Sequence, residues 1–427
     1  MKTPKEDPAR LVRCRLMLPI TRPCIEDAAL VFQGQHILEV APWKDLKAHW
    51  QGPIEDLGER VLLPGLINPH THLEYTLMGD EFCGDVGAYA FTDWIDRIVR
   101  LKSRWSINQF AQSWISGYQD QWQSGTTTLA DTLSQFPLLE AITKPDGPRL
   151  KCLLEWIHTE PGAVPLERVD RFKQALLSAD HWGESPAGLS PHAPYTTTPD
   201  LWRTIDDHTE LRHRCRSVHL AESRAELELF TQDQGPLKSW LKSKGINQSW
   251  GQGHPVDLFD QHDALQPGLL AIHGNLLDDL TVKRLSRKQV GLVHCPRSHA
   301  FFNHPPFPIN ACLKAGIVVA LGTDSLASMP SPVGDRPFHL FHEIQWLMRR
   351  CLDISPTLAL RMITLNAAKV LGMDKEVGSL DAGKLADWVT TPCQESPQSV
   401  EAWLVGSIPT WDRVTQAGRE RFSGWSE

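Results

Sequence analysis

Short apolar runs recur along the chain from residue 61 onward, each closed by polar residues and followed by a longer amphipathic or mixed stretch. There are eight, at 61–68, 126–131, 150–157, 187–191, 217–221, 269–272, 291–295 and 317–322. Between them lie helix-compatible segments, for example 91–101, 107–123, 166–177, 225–231 and 276–285. Strands alternating with helices predict βαβ units and a parallel sheet. Eight such units over about 310 residues predict a (β/α)8 TIM barrel with insertions. A doubly wound open sheet is the competing arrangement, but no G-x-G-x-x-G turn follows any of these strands.

The flanks follow a different pattern. Residues 11 to about 60 read as short strands at 11–18, 28–32 and 36–40, with nothing that looks catalytic. After Met373 comes a Gly-punctuated turn region, 377–387, then strand-like 388–390 and 402–405. The expected organisation is a small β-sandwich domain built from segments 1–60 and 376–427 beside a hydrolase barrel of residues 61–375.

Composition narrows the class. The chain has 427 residues with 41% hydrophobic side chains, enough for a large packed core. A formal net charge of −8 leaves no electrostatic footprint for nucleic acid or an anionic membrane surface. No apolar stretch approaches the ~18 residues of a membrane span. Residues 1–10 are charged and Pro-interrupted, with no apolar segment behind them, so no secretory signal is expected. Nine cysteines, an odd count without any C-x-x-C pair, argue against a disulfide framework and a cysteine-based zinc site. The expectation is a cytoplasmic protein with reduced thiols and a small-molecule partner.

In a (β/α)8 barrel the active site lies at the C-terminal ends of the strands. The first run ends in His70-Thr71-His72. Side chains alternate along a strand, so both imidazoles point into the barrel mouth and make half of a metal site. The fifth run ends in His219-Leu220-Ala221-Glu222, the sixth in His273 and the eighth in Thr323-Asp324. A lone histidine at a strand end is more often hydrogen-bonded scaffolding than a ligand; the joint pattern on separate strands of one barrel points to a cation. His70, His72, His219 and Asp324 offer nitrogen and oxygen ligands suited to Zn2+, with Fe2+ and Mn2+ open. Glu222 stands just past the strand end, where a carboxylate hangs over the metal as a proton shuttle, and His273 is the second acid–base candidate. His192 also faces the mouth in this register, whereas His294 reads as a core residue. Trp94 reads as core, with stacking on a ring as the alternative.

Taken together, these residues resemble the amidohydrolase superfamily, and within it the mononuclear-metal branch of cyclic-amidine deaminases and chlorohydrolases. The motifs are P-G-L-I-N-P-H-T-H at 64–72, G-T-T-T at 125–128, S-P-H-A-P-Y at 190–195 and H-L-A-E-S at 219–223. L-G-T-D-S at 321–325, N-A-A-K at 366–369 and G-S-L-D-A-G-K-L-A-D at 378–387 complete the set. Binuclear members carry a carboxylated lysine at the end of the fourth strand; here that run carries His192, so the resemblance implies one divalent metal. It further implies His70, His72, His219 and Asp324 as ligands, with Glu222, His273 and Asp324 catalytic, in a possible homodimer. The metal would lower the pKa of bound water from 15.7 toward ~7. The resulting hydroxide would attack a ring carbon bearing an amino group, Glu222 would carry the water proton to the ring nitrogen, and ammonia would leave.

The expected substrates are adenine-type nucleosides: methylthioadenosine, S-adenosylhomocysteine, adenosine or aminofutalosine. The H-T-H-L-E form resembles that of aminofutalosine deaminases. Two departures stand out: Cys295-Pro296-Arg297-Ser298-His299 replaces the N-P-x-S-N of many nucleoside deaminases, and Glu74 replaces an apolar residue or proline. Glu74, His192 and Arg297 are therefore expected as substrate contacts, or Glu74 and Arg297 as a pair. Release of halide or alkylamine, opening of a cyclic amide, and a catalytically silent ligand-binding barrel are the alternatives. The intact set Glu222, His273 and Asp324 weighs against the last.

Overall fold

The computed structural model describes residues 8–82, 84–251, 253–330 and 336–423. All eight predicted runs form strands, and these pair in sequence order in one parallel sheet. The barrel strands are Leu66–Thr71, Thr126–Leu133, Arg149–Trp156, Gly188–Pro191, Arg216–Leu220, Leu269–His273, Gly291–His294 and Val319–Leu321. The last strand returns to the first through a parallel bridge between Thr71 and Asp324, where the Asp324 amide donates to the His70 carbonyl at 3.1 Å. The ring thus closes next to two of the residues singled out for chemistry.

Period-two alternation sorts each strand into an inner and an outer face. Ala130, Leu153, Leu270, Ile272, Val293 and Ala320 belong to one buried cluster inside the barrel. Their neighbours Leu129, Leu154, Leu269, Ala271, Leu292 and Val319 pack outward, in two larger clusters that take in helical residues. The helices at Phe91–Lys102, Ile107–Gln123, Leu166–Trp182, Arg224–Gln232 and Asp279–Arg287 fall on the segments read from the sequence. Several begin with side-chain caps, such as the Ser106–Gln109 capping box and Ser223, whose oxygen accepts from the Glu226 amide.

The flanking segments form a second, mixed sheet. Its order is Arg419–Ser423, Arg413–Gln416, Trp388–Pro392, Arg60–Pro64, Arg10–Met17, Ile25–Gln33 and His36–Pro42, with Ile54–Asp56 alongside Arg10–Met17. The run at 61–68 is therefore divided. Arg60–Pro64 pairs with Trp388–Pro392 in the flanking sheet, and Leu66–Thr71 starts the barrel. Gly65 is the junction, where a Cβ would come within 2.2 Å of Thr127 Oγ1, so glycine leaves room for the Thr127 side chain. The strand expected at 402–405 is instead a helix, Val400–Gly406. Val400 and Leu404, one turn apart, face the main core. Among the described residues no helix is long and apolar enough to cross a membrane, and the eight described cysteines are free.

Candidate active site

His70, His72 and His219 bring ligand atoms within 4.8 Å of one another, and so do His70, His273 and Asp324. His72 Nε2 and His219 Nε2 lie 3.2 Å apart. Asp324 Oδ1 is 3.5 Å from His70 Nε2 and 3.8 Å from His72 Nε2. All are buried at the C-terminal mouth of the barrel. The structure therefore brings the four expected ligands and His273 together.

The surroundings of these side chains fit a cation. His219 Nδ1 donates to the His192 carbonyl at 2.9 Å, which fixes the tautomer and leaves the Nε2 lone pair aimed at His72. Both nitrogens of His70 and Nδ1 of His72 are buried without a hydrogen-bond partner. Unsatisfied buried imidazole nitrogens are costly unless something accepts their lone pairs. Two imidazole nitrogens on one tetrahedral zinc at ~2.0–2.1 Å stand about 3.3 Å apart, close to the spacing seen between His72 and His219. Burial holds His72 and His219 well below the ordinary histidine range, as neutral donors. Burial alone would raise Asp324, but the His70 imidazole 3.5 Å away and the other imidazoles around it win and hold it well below the usual carboxylate range. Three imidazoles and one carboxylate form a donor set for one divalent metal.

Backbone strain marks the same positions. Ala221, His273 and Asp324 adopt left-handed conformations, with φ of 51°, 73° and 56°. Such strain in residues other than glycine concentrates where function requires a particular side-chain direction. His273 shows why. Leu270 and Ile272 face the barrel interior, so simple alternation would send His273 outward; its positive φ instead turns the imidazole into the mouth, 3.5 Å from Glu222 Oε1. Burial, with Asp324 and Glu226 nearby, pushes Glu222 well above the usual carboxylate range, while burial keeps His273 neutral. Glu222 and His273 thus stand within reach of each other as two groups that can take up or release a proton.

One cavity joins this cluster to a partly apolar wall on the helix Phe91–Lys102. His192 lines it and is held by Thr196 Oγ1 at 2.7 Å. Trp94, expected in the core, lines it too, with its indole N–H donating to the Ala327 carbonyl at 2.7 Å. His294 points away, buried and stacked on Phe307 at 3.8 Å. Glu74 and Arg297, expected as substrate contacts, do not reach the cavity, and they do not pair. Glu74 accepts from the Ser134 hydroxyl and from the Ser134 and Gln135 amides. Arg297 donates to Glu343 Oε1 at 2.5 Å and to the Pro337 carbonyl at 2.5 Å.

The sequence reading passed over the residues that support the site. Asp131, near the end of the second strand, accepts from Thr71 Oγ1, the Leu73 amide and the Trp114 indole, and so fixes the strand end that carries His70 and His72. Ser328 donates to Asp324 Oδ2 at 2.9 Å. Tyr75 stacks on His72 at 5.5 Å and receives a hydrogen bond from Lys102. Glu155, ending the third strand, lines the cavity. The strand-end rule that found the histidines would have found Asp131 and Glu155 as well.

A family profile described as "Amidohydrolase family" matches residues 61–408. The 5-methylthioadenosine/S-adenosylhomocysteine deaminase of Moorella thermoacetica is 27% identical over 422 residues, covering 92% of this chain and 89% of that one. The enzyme of the same name from Syntrophobacter fumaroxidans is 29% identical over 376 residues, covering 85% and 79%. Among solved structures, Helicobacter pylori aminofutalosine deaminase in complex with methylthio-coformycin matches with a TM-score of 0.82 at 18% identity, covering 97% of this chain and 100% of that one. An adenosine deaminase from Xanthomonas campestris with bound zinc matches with a TM-score of 0.78 at 21% identity, covering 98% and 94%.

Proposed function

Because the chain belongs to the amidohydrolase family, we propose that it is a metal-dependent deaminase that removes the amino group of an adenine-type nucleoside as ammonia. Methylthioadenosine, S-adenosylhomocysteine, adenosine and aminofutalosine are the candidate substrates. The relatives named for the first two, and the likeness in fold to aminofutalosine and adenosine deaminases, support that class. The observation that carries the reading is the buried Glu222–His273 contact of 3.5 Å beside the cluster of three histidines and Asp324.

A divalent metal, proposed as zinc, held by His70, His72, His219 and Asp324 supplies Lewis-acid chemistry that makes water nucleophilic at neutral pH. The remaining work falls to the chain. Glu222 takes one proton from water and delivers it to the ring nitrogen beside the reacting carbon. Water's oxygen forms the new bond to that carbon, and the bond to the exocyclic nitrogen breaks. His273 and Asp324 orient the water and help pass its second proton to the departing nitrogen, so the products are the oxo ring and ammonia. His192 contacts the substrate from the cavity wall.

The test is ammonia release by zinc-reconstituted protein with a panel of adenine nucleosides, guanine, cytosine and a chlorotriazine. Glu222→Gln is expected to lower turnover by at least ~100-fold while bound metal stays at the wild-type level. Metal-loaded protein that releases no ammonia from any adenine compound would overturn this reading.

A further inference from the structure

Glu155 is a buried carboxylate that the chemistry above does not use. It lies on the third barrel strand two residues beyond Leu153, which faces the barrel interior, so alternation points Glu155 into the mouth. Glu155 is only 9% exposed. Among the described residues no side chain or backbone amide donates to its carboxylate. Burial raises its pKa and Lys102 pulls it back. Buried carboxylates normally have hydrogen-bonded partners, and one that faces a cavity without any is built for a donor that arrives from outside.

Lys102 stands beside it. Its ammonium donates to Tyr75 Oη at 2.7 Å and to Ser134 Oγ at 2.8 Å, which occupies two of its three N–H groups. Lys102 and Glu155 make no ion pair with each other, so there is space between them. Together with Ile157 they line both the catalytic cavity and the open groove next to it. They therefore stand at the boundary between the two.

The chemistry of the two groups selects the ligand. An ionised carboxylate only accepts hydrogen bonds and an ammonium only donates. A substrate ammonium could satisfy Glu155 but would meet the Lys102 charge. A substrate carboxylate could satisfy Lys102 but would leave Glu155 without a donor. A hydroxyl does both, accepting from Lys102 and donating to Glu155, and a vicinal diol does so with either oxygen. We propose that Glu155 and Lys102 form a specificity subsite for the sugar diol of the substrate, with Glu155 separating ribonucleosides from analogues that lack those hydroxyls.

This inference rests on the deaminase reading, and the experiment separates the two. kcat/KM would be measured for a ribonucleoside and its 2′,3′-dideoxy counterpart, with wild type and with Glu155→Gln. A hydrogen bond to a charged group that only one substrate can make predicts a wild-type preference for the ribonucleoside of at least ~10-fold. That ratio is expected to fall toward one in Glu155→Gln. Because each ratio is taken within one protein preparation, partial misfolding of the variant cancels. A wild-type ratio near one overturns the subsite without any variant. A ratio that survives in Glu155→Gln assigns the preference to another residue. Absence of turnover with every adenine compound overturns the deaminase reading itself, whereas turnover without diol dependence overturns only the subsite.

Discussion

Glu226 lies one helical turn beyond Glu222 and holds it from behind. Its carboxylate accepts the Ala221 amide at 3.1 Å and the Glu222 amide at 2.7 Å, although burial raises its pKa to about 7. In Glu226→Gln an NH2 group replaces one acceptor and faces a buried backbone N–H. An unsatisfied buried donor costs about 1–3 kcal/mol. Because it loosens the segment that aims Glu222, turnover is expected to fall on the order of 10–100-fold. Metal content, measured alongside, is expected to hold; wild-type turnover would show that Glu222 does not need this support. Such residues explain how much of the site could be read in advance. His70, His72, His219, Asp324, Glu222 and His273 were legible because strand ends of a barrel converge. The direction of His273 was not, since it depends on a positive φ that no spacing reveals. The surroundings of Glu74 and Arg297 were hidden because their partners, Ser134 and Glu343, lie far along the chain.

At the scale of elements, the eight strands were readable because buried parallel strands are short and continuously apolar. The segment at 402–405 has the same look, and a short apolar run cannot tell a strand from a buried helix. The helix Leu340–Arg350 shows how an element can depend on one protonation state. His339 caps it, with Nδ1 accepting the Phe341 amide at 3.3 Å and Nε2 donating to the Pro409 carbonyl at 3.0 Å. Burial, then the charge of His342, lowers its pKa to about 3, with Arg297 and Arg336 adding to the effect. A histidine whose folded pKa lies below its unfolded value binds protons more readily when unfolded. Its contribution is therefore complete above the unfolded pKa of ~6.5 and is lost as pH falls from there toward the folded pKa. At pH 5 the loss from His339 alone is about 2 kcal/mol. The thermal midpoint of wild type is expected to drop between pH 7 and pH 5, and His339→Asn, which keeps a cap without a titrating ring, to drop less. Equal slopes for the two proteins would rule out His339 as a source.

At the scale of the molecule, the barrel floor and the flanking sheet are joined through a buried ion pair. Arg149 opens the third barrel strand, and its guanidinium meets Asp387 at 2.9 Å and Thr128 Oγ1 at 2.9 Å. Asp387 also accepts the Ala417 amide at 2.7 Å. Removing one partner of a buried pair leaves an uncompensated charge and costs about 3–5 kcal/mol. Arg149→Met is therefore expected to lower the unfolding free energy measured in urea by that amount, while the folded fraction still binds metal. A loss under 1 kcal/mol would mean that water reaches Asp387 and the two sheets are held together elsewhere.

The divided run at 61–68 bears on how the chain assembles. Val61, Leu62 and Leu63 find their partners in Thr391, Thr390 and Val389, across the whole of the barrel sequence. On the ribosome, the stretch that leads directly into His70 and His72 keeps one edge open until Trp388–Pro392 has been made. Pairings so distant in sequence slow folding, because the loop between them must close before contact repays it. The barrel can gather its strands in order as they appear, yet its first strand stays tethered to an unfinished sheet. His70 and His72 are thus made long before the strand that anchors the segment leading into them.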